Sequence, residues 1–211
     1  MALPRPSASL RLVPRRASLT DLSLAAEQCR ACHLFANATQ TVFGEGPVPA
    51  KMMLVGEQPG DQEDRQGHPF VGPAGRMLDR ALDKAGISRR QVYVTNAVKH
   101  FKWEPRGKRR MHSRPNFDEI QACHGWLEAE LTVVTPAVVV CMGATAAAAF
   151  FGRGFKVTAH RGDVLASRWA EKVIVTYHPS ALLRLKADPE AYAATTAAFV
   201  ADLERAASLA W

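Results

Sequence analysis

KMMLVGEQPG, residues Lys51–Gly60, starts as a short apolar run and ends in a turn bounded by glycine and proline. Lys51–Val55 reads as a strand buried on both faces, because its apolar positions are consecutive rather than alternating. Three more runs repeat the pattern: Val92–Thr95 (VYVT), Val138–Met142 (VVVCM) and Val173–Tyr177 (VIVTY). Helical patterns lie between them at Ala74–Ala85, Asp118–Val134 and Ala144–Phe151. The first is followed by Gly86, a suitable helix stop. An Ala- and Leu-rich helix over Asp188–Ala207 closes the chain. This alternation predicts an α/β fold, a three-layer sandwich with helices on both faces of a central parallel sheet of four strands.

In such sheets ligands bind beyond the carboxyl ends of the strands. The four exits read Gly56–Gly60 (GEQPG), Asn96–His100 (NAVKH), Gly143–Thr145 (GAT) and His178–Ser180 (HPS). Three of them carry polar groups suited to chemistry, so a site is expected at that edge.

The chain has 211 residues, 47% of them hydrophobic, which is enough for one sizeable core and one domain. No apolar run reaches the roughly 18 residues that a membrane span needs. The formal charge of +7 fits a mildly basic soluble protein, and equally a partner rich in phosphate. Residues 1–20 contain four arginines and no acid among Pro and Ser, which predicts a disordered basic arm before a domain over 21–211. That stretch lacks an apolar signal-peptide core, so the expected compartment is the cytoplasm, with unpaired thiols.

Cys29 and Cys32 form a CxxC pair, which suits a redox dithiol, half a zinc site or half an iron–sulfur site. The pair does not sit on a strand-to-helix turn, which argues against the redox reading. Cys123 and Cys141 are the remaining thiols, but Cys141 lies inside VVVCM, where a cysteine behaves as a small hydrophobe. His100, at a strand exit, is a chemically reasonable further ligand. Phe70 lies in the Gly/Pro-rich segment GHPFVGPAGR, where an aromatic ring suits stacking on a base. The basic run Arg106–Arg114 holds one histidine, His112. Cations around an imidazole favour its neutral, nucleophilic form.

Taken together, GEQPGDQED, GHPFVGPAGR, YVTNAVKHF, QACHGWL and YHPSALLR resemble the uracil-DNA glycosylase superfamily, and its iron–sulfur family 4 branch in particular. Within that branch, KRRMHS and VKH resemble the UdgX group, which joins itself covalently to DNA after excising uracil. The resemblance implies a base-flipping enzyme in which Phe70 stacks on uracil. Asn96 reads its N3 and O4 edge, and His178 stabilises the departing anion at O2. Gln58 stands in the uracil pocket where family 4 members have alanine. Glu57 supports attack at C1′. Lys108, Arg109 and Arg110 would contact DNA, and Ser180, Leu182 and Arg184 belong to a loop entering the duplex. A [4Fe-4S] cluster would be held by Cys29, Cys32, His100 and Cys123, with His100 standing where family 4 has a cysteine.

The expected reaction is cleavage of the N-glycosidic bond, followed by capture of deoxyribose C1′ by His112 in a single turnover. Two alternatives stand beside it: a conventional glycosylase releasing an abasic site, and a non-catalytic iron–sulfur DNA-binding module. The expected partner is uracil-containing DNA, single-stranded or duplex, with free uracil as product. A monomer is expected, without membrane attachment, in a bacterial-type cytoplasm and at the nucleoid when acting.

Overall fold

A computed structural model of the protein describes residues 7–211. The described chain enters through a 3-10 turn, Ala8–Leu12, and helix α1, Leu19–Glu27. Strand β1 (Met52–Gly56) is followed by helices α2 (Asp61–Gln66) and α3 (Pro73–Lys84), then strand β2 (Val92–Asn96). A hairpin of β3 (Trp103–Arg106) and β4 (Arg109–His112) precedes the long helix α4 (Phe117–Val134). Strand β5 (Val138–Met142), helices α5 (Ala144–Phe151) and α6 (Val157–His160), and strands β6 (Val164–Leu165) and β7 (Val173–Thr176) come next. Helices α7 (Pro179–Arg184) and α8 (Pro189–Ala210) complete the chain.

The main sheet has the order β2-β1-β5-β7-β6. Its first four members are mutually parallel and are the four strands expected from the sequence. A fifth, β6, pairs antiparallel with β7 through only two residues, too few to show any periodicity. The sheet is therefore mixed and five-stranded rather than purely parallel and four-stranded.

Successive residues of a strand face opposite sides, so a run buried on both sides must be apolar throughout. Met53, Val55, Val139 and Cys141 pack with Trp126 and Leu127 of α4 and with Ala146 and Phe150 of α5. Met52, Leu54, Val138 and Val140 face Met77 and Leu78 of α3 and Phe199 and Leu203 of α8. Cys141 is thus a core residue, and burial pushes its thiol well above the ordinary range. None of the described helices is long and apolar enough to cross a membrane.

The expected disordered arm lies partly outside the described residues, at 1–6. Its continuation from Ser7 is ordered. The Ser7 hydroxyl donates to the Ala122 carbonyl, and the Gly125 N–H donates to the Ser7 and Ser9 hydroxyls. Gly125 permits this approach, since a Cβ there would stand 2.4 Å from the Leu10 nitrogen. Composition describes the segment's solubility but not a helix surface made flat by one glycine.

Candidate active site

Strand order reverses around β1, whose neighbours are β2 and β5, and the crevice at such a point is the natural ligand site. A cavity of about 560 Å³ opens there, lined among others by Glu57, Gln58, Phe70, Asn96, His112 and His178. The residues nominated from the strand exits are therefore brought together.

Phe70 is buried and holds φ at 58°, a left-handed conformation that an aromatic residue adopts only under constraint. Gly56 and Gly75 make room for it. A Cβ on Gly56 would lie 2.6 Å from the Phe70 ring, and one on Gly75 would lie 1.7 Å from the Phe70 carbonyl oxygen. The ring sits 6.4 Å from that of His178 at 34°, leaving one aromatic wall for a planar ligand.

Asn96 ends β2 and is 3% exposed, and its Oδ1 has no hydrogen-bond partner. A buried amide oxygen without a donor costs on the order of 1–3 kcal/mol, so its presence in a cavity wall points to a ligand that supplies one. His178 caps α7: its Nδ1 accepts from the Ser180 N–H at 3.2 Å and lies 2.8 Å from the Ser180 hydroxyl. Burial is the main cause that pushes its pKa down to about 4. A neutral ring whose Nδ1 accepts carries its proton on Nε2, making His178 an uncharged donor.

Glu57 follows β1. Its Oε1 lies 3.1 Å from His112 Nε2, and its Oε2 accepts from the Thr145 hydroxyl. Burial would raise the carboxyl pKa, but the hydrogen bonds from His112 and Thr145 outweigh it and hold it below the ordinary value. Arg114 adds a cation 3.9 Å from Oε2.

His112 reaches this point on the β3–β4 hairpin, for which the sequence predicts no strands. Its strands lie largely in solvent and carry charge on both faces, so they lack the alternation that marks a half-buried strand. Gln58 grips both legs. Its Nε2 donates to the Lys102 and Ser113 carbonyls at 3.2 and 3.0 Å, and its Oε1 accepts from the Lys102 N–H at 2.9 Å. Gln58 also lines the cavity, with both amide N–H groups used on the hairpin.

Arg110, expected on DNA, is paired with Asp61 and Asp64, each at 2.6 Å. Lys108 and Arg109 stand exposed at the hairpin tip. The segment expected as a loop entering DNA is helix α7. Ser180 and Arg184 line the cavity, whereas Leu182 is fully buried and Leu183 takes the lining position. Helical phase decides between those two leucines, and an expected loop carries no phase.

Cys29, Cys32 and Cys123 gather where the end of α1 meets α4. Burial pushes the Cys123 thiol up to about 12, and the two other thiols add to that push. The Trp126 Nε1–H donates to Cys29 Sγ at 3.2 Å and the Lys99 N–H to Cys123 Sγ at 3.3 Å, both suited to electron-rich sulfur. His100 is buried, and its Nε2 lies 3.0 Å from the Thr41 hydroxyl, which donates its own hydrogen to the Ala26 carbonyl. Thr41 must therefore accept from Nε2–H, leaving the lone pair of His100 on Nδ1. No three such side chains among the described residues close around a single ion. Three thiols and an imidazole nitrogen are a donor set of the chemistry that iron–sulfur groups take.

A family model described as the Uracil DNA glycosylase superfamily matches residues 43–204. The chain is 40% identical over 159 residues to the type-4 uracil-DNA glycosylase of Thermotoga maritima, covering 75% of this chain and 79% of that one. It is 37% identical over 163 residues to the type-4 uracil-DNA glycosylase of Sulfurisphaera tokodaii, covering 74% and 71%. Against the type-4 uracil-DNA glycosylase of Archaeoglobus fulgidus it is 36% identical over 173 residues, covering 79% and 83%.

Proposed function

The chain belongs to the uracil-DNA glycosylase superfamily, and from that premise we propose that it excises uracil from DNA and retains the deoxyribose on His112. The observation that carries excision is the unpartnered Asn96 oxygen beside Phe70 and His178 in one cavity. Uracil offers an N3–H donor to Oδ1, where cytosine offers only an acceptor, so cytosine leaves the oxygen unpaired. Phe70 stacks on the flipped base, and the Nε2–H of His178 donates to O2 as negative charge develops there. A non-catalytic DNA-binding module has no use for that combination.

Capture rests on the His112–Glu57 pair. One imidazole nitrogen of His112 bonds C1′ as the C1′–N1 bond breaks, and the electron pair leaves with uracil. Glu57 takes up the imidazole N–H proton, leaving a neutral alkylated ring. Lys108 and Arg109 hold phosphate, with Ser180, Leu183 and Arg184 at the mouth of the pocket. A [4Fe-4S] cluster, when bound by Cys29, Cys32, His100 and Cys123, supplies a structural cross-link among α1, the segment after β2, and α4. The protein acts as a monomer on single-stranded or duplex DNA in the cytoplasm, at the nucleoid, and releases free uracil.

Likeness to type-4 uracil-DNA glycosylases favours a second reading, a glycosylase that turns over and leaves an abasic site. Denaturing electrophoresis after mixing with a uracil oligonucleotide separates the two. Capture gives a boil-resistant adduct with the sugar mass on the His112 peptide. His112→Ser gives no adduct but an alkali-labile site. An alkali-labile site from the unaltered protein, without adduct, refutes capture and leaves excision standing.

A further inference from the structure

Beneath the pocket lies a buried ion pair. Lys99 is 1% exposed and Glu130 0%, with Nζ 2.6 Å from Oε2. The other two contacts of Nζ go to the Thr95 hydroxyl at 2.6 Å and the Asn96 main-chain carbonyl at 2.8 Å. Three N–H donors therefore have three acceptors. Glu130 Oε1 in turn accepts from the Tyr93 hydroxyl at 2.9 Å, the Thr95 hydroxyl at 2.8 Å and the Gly44 N–H at 3.0 Å. The fit is close, since a Cβ on Gly44 would stand 2.4 Å from both Glu130 Oε1 and the Tyr93 hydroxyl.

Stability gives little reason for such a pair. Desolvating two charges offsets most of their attraction, and apolar replacements of buried pairs are often no less stable. What the pair supplies is direction. An ammonium held by Thr95 and Glu130 fixes the main-chain carbonyl of Asn96, whose buried Oδ1 in the pocket wall has no partner. Rotation about the Asn96 backbone would carry its amide off the base edge, and the third arm of the tripod resists that rotation.

We propose that Lys99 is a positioning residue for base recognition, holding Asn96 through its main-chain carbonyl so that its amide meets uracil. The inference rests on the reading that Asn96 contacts the base. Lys99 is too deeply buried to reach DNA, so its influence separates the base contacts from the backbone contacts. Two ligands report on these independently: free uracil on the base contacts, and an oligonucleotide with an abasic site on the DNA contacts.

The test is Lys99→Met combined with Glu130→Gln, which leaves no uncompensated buried charge. Free uracil should bind about ten-fold more weakly, equivalent to roughly 1.4 kcal/mol. Affinity for the abasic oligonucleotide should stay unchanged. Wild-type affinity for both ligands, or an equal loss for both, overturns the proposal, the latter because it marks a purely structural role. If that pair does not yield folded protein, Thr95→Val removes only a hydroxyl gripped by Nζ. It should weaken uracil alone, and no selective loss again overturns the proposal. Asn96→Ala is the separate control: unchanged uracil affinity there refutes the reading of Asn96 itself.

Discussion

Gly56 and Gly75 shape the pocket by what they lack. Their missing Cβ atoms are filled by the ring and carbonyl of Phe70, whose own backbone is held at φ 58°. Gly75→Ala should cost about 1–3 kcal/mol, because the clash is with backbone rather than with a flexible side-chain end. Thermal melting checks the cost, and excision should fall with it as the ring tilts. His178 gives a pH signature. Its folded pKa of about 4 lies below the ordinary 6.5, so the unfolded chain binds more protons between those values. Its contribution to stability is complete above about 6.5 and is lost as pH falls toward 4. Glu57, also held below its ordinary value, loses its contribution only as pH falls through the carboxylate range. Melting temperature should therefore drop on acidification from neutrality, and His178→Gln should flatten the upper part of that drop. A profile unaltered by the substitution would show that His178 is not held neutral by burial.

At the scale of elements, the four parallel strands were legible because burial on both faces demands unbroken apolarity, as in VVVCM. The pocket residues were legible because strand ends in such sheets carry ligands. The hairpin was not. Its stability comes from Gln58, Asp61 and Asp64, which lie more than forty residues before the groups they hold. Arg110 thus anchors the hairpin through Asp61 and Asp64, a role that its place in a basic run does not reveal. Arg110→Gln leaves the carboxylate of the fully buried Asp64 without its guanidinium partner and loosens the strand carrying His112. If His112 captures the sugar as proposed, product analysis on a uracil oligonucleotide should then shift from adduct toward abasic site, with uracil release itself less affected. Gln58→Ala should shift the ratio in the same direction. An unchanged ratio in both variants would mean that the hairpin holds His112 without these anchors.

Across the whole molecule, the segment Asn96–His100 joins two regions that the layers would otherwise separate. It starts at the pocket, sends Lys99 into the core, donates the Lys99 N–H to Cys123 and ends at His100. Cys123→Ser should remove the broad visible absorption expected of an iron–sulfur protein, whereas Cys141→Ser, altering only the sheet interior, should keep it. Retained absorption in the first variant, or bleaching in the second, would redraw the ligand set. Sequence alone nominated both cysteines by number, and only the context of Cys141 inside an apolar strand distinguished them. The ordered residues from Ser7 onward were beyond that kind of reading, since their docking depends on the bare backbone of Gly125.

The anchoring of the hairpin also fixes how the protein should respond to ionic strength. The Arg110–Asp64 pair is shielded, with side chains 15% and 0% exposed, while Lys108 and Arg109 at the tip stand in water. Mobile ions screen exposed charges well and buried pairs poorly, and they compete directly for phosphate. Added salt should therefore reduce how often DNA is engaged while leaving His112 where it is. If His112 captures the sugar as proposed, the rate of adduct formation at limiting protein should fall steeply with salt. The share of processed uracil sites that end as adduct should stay level.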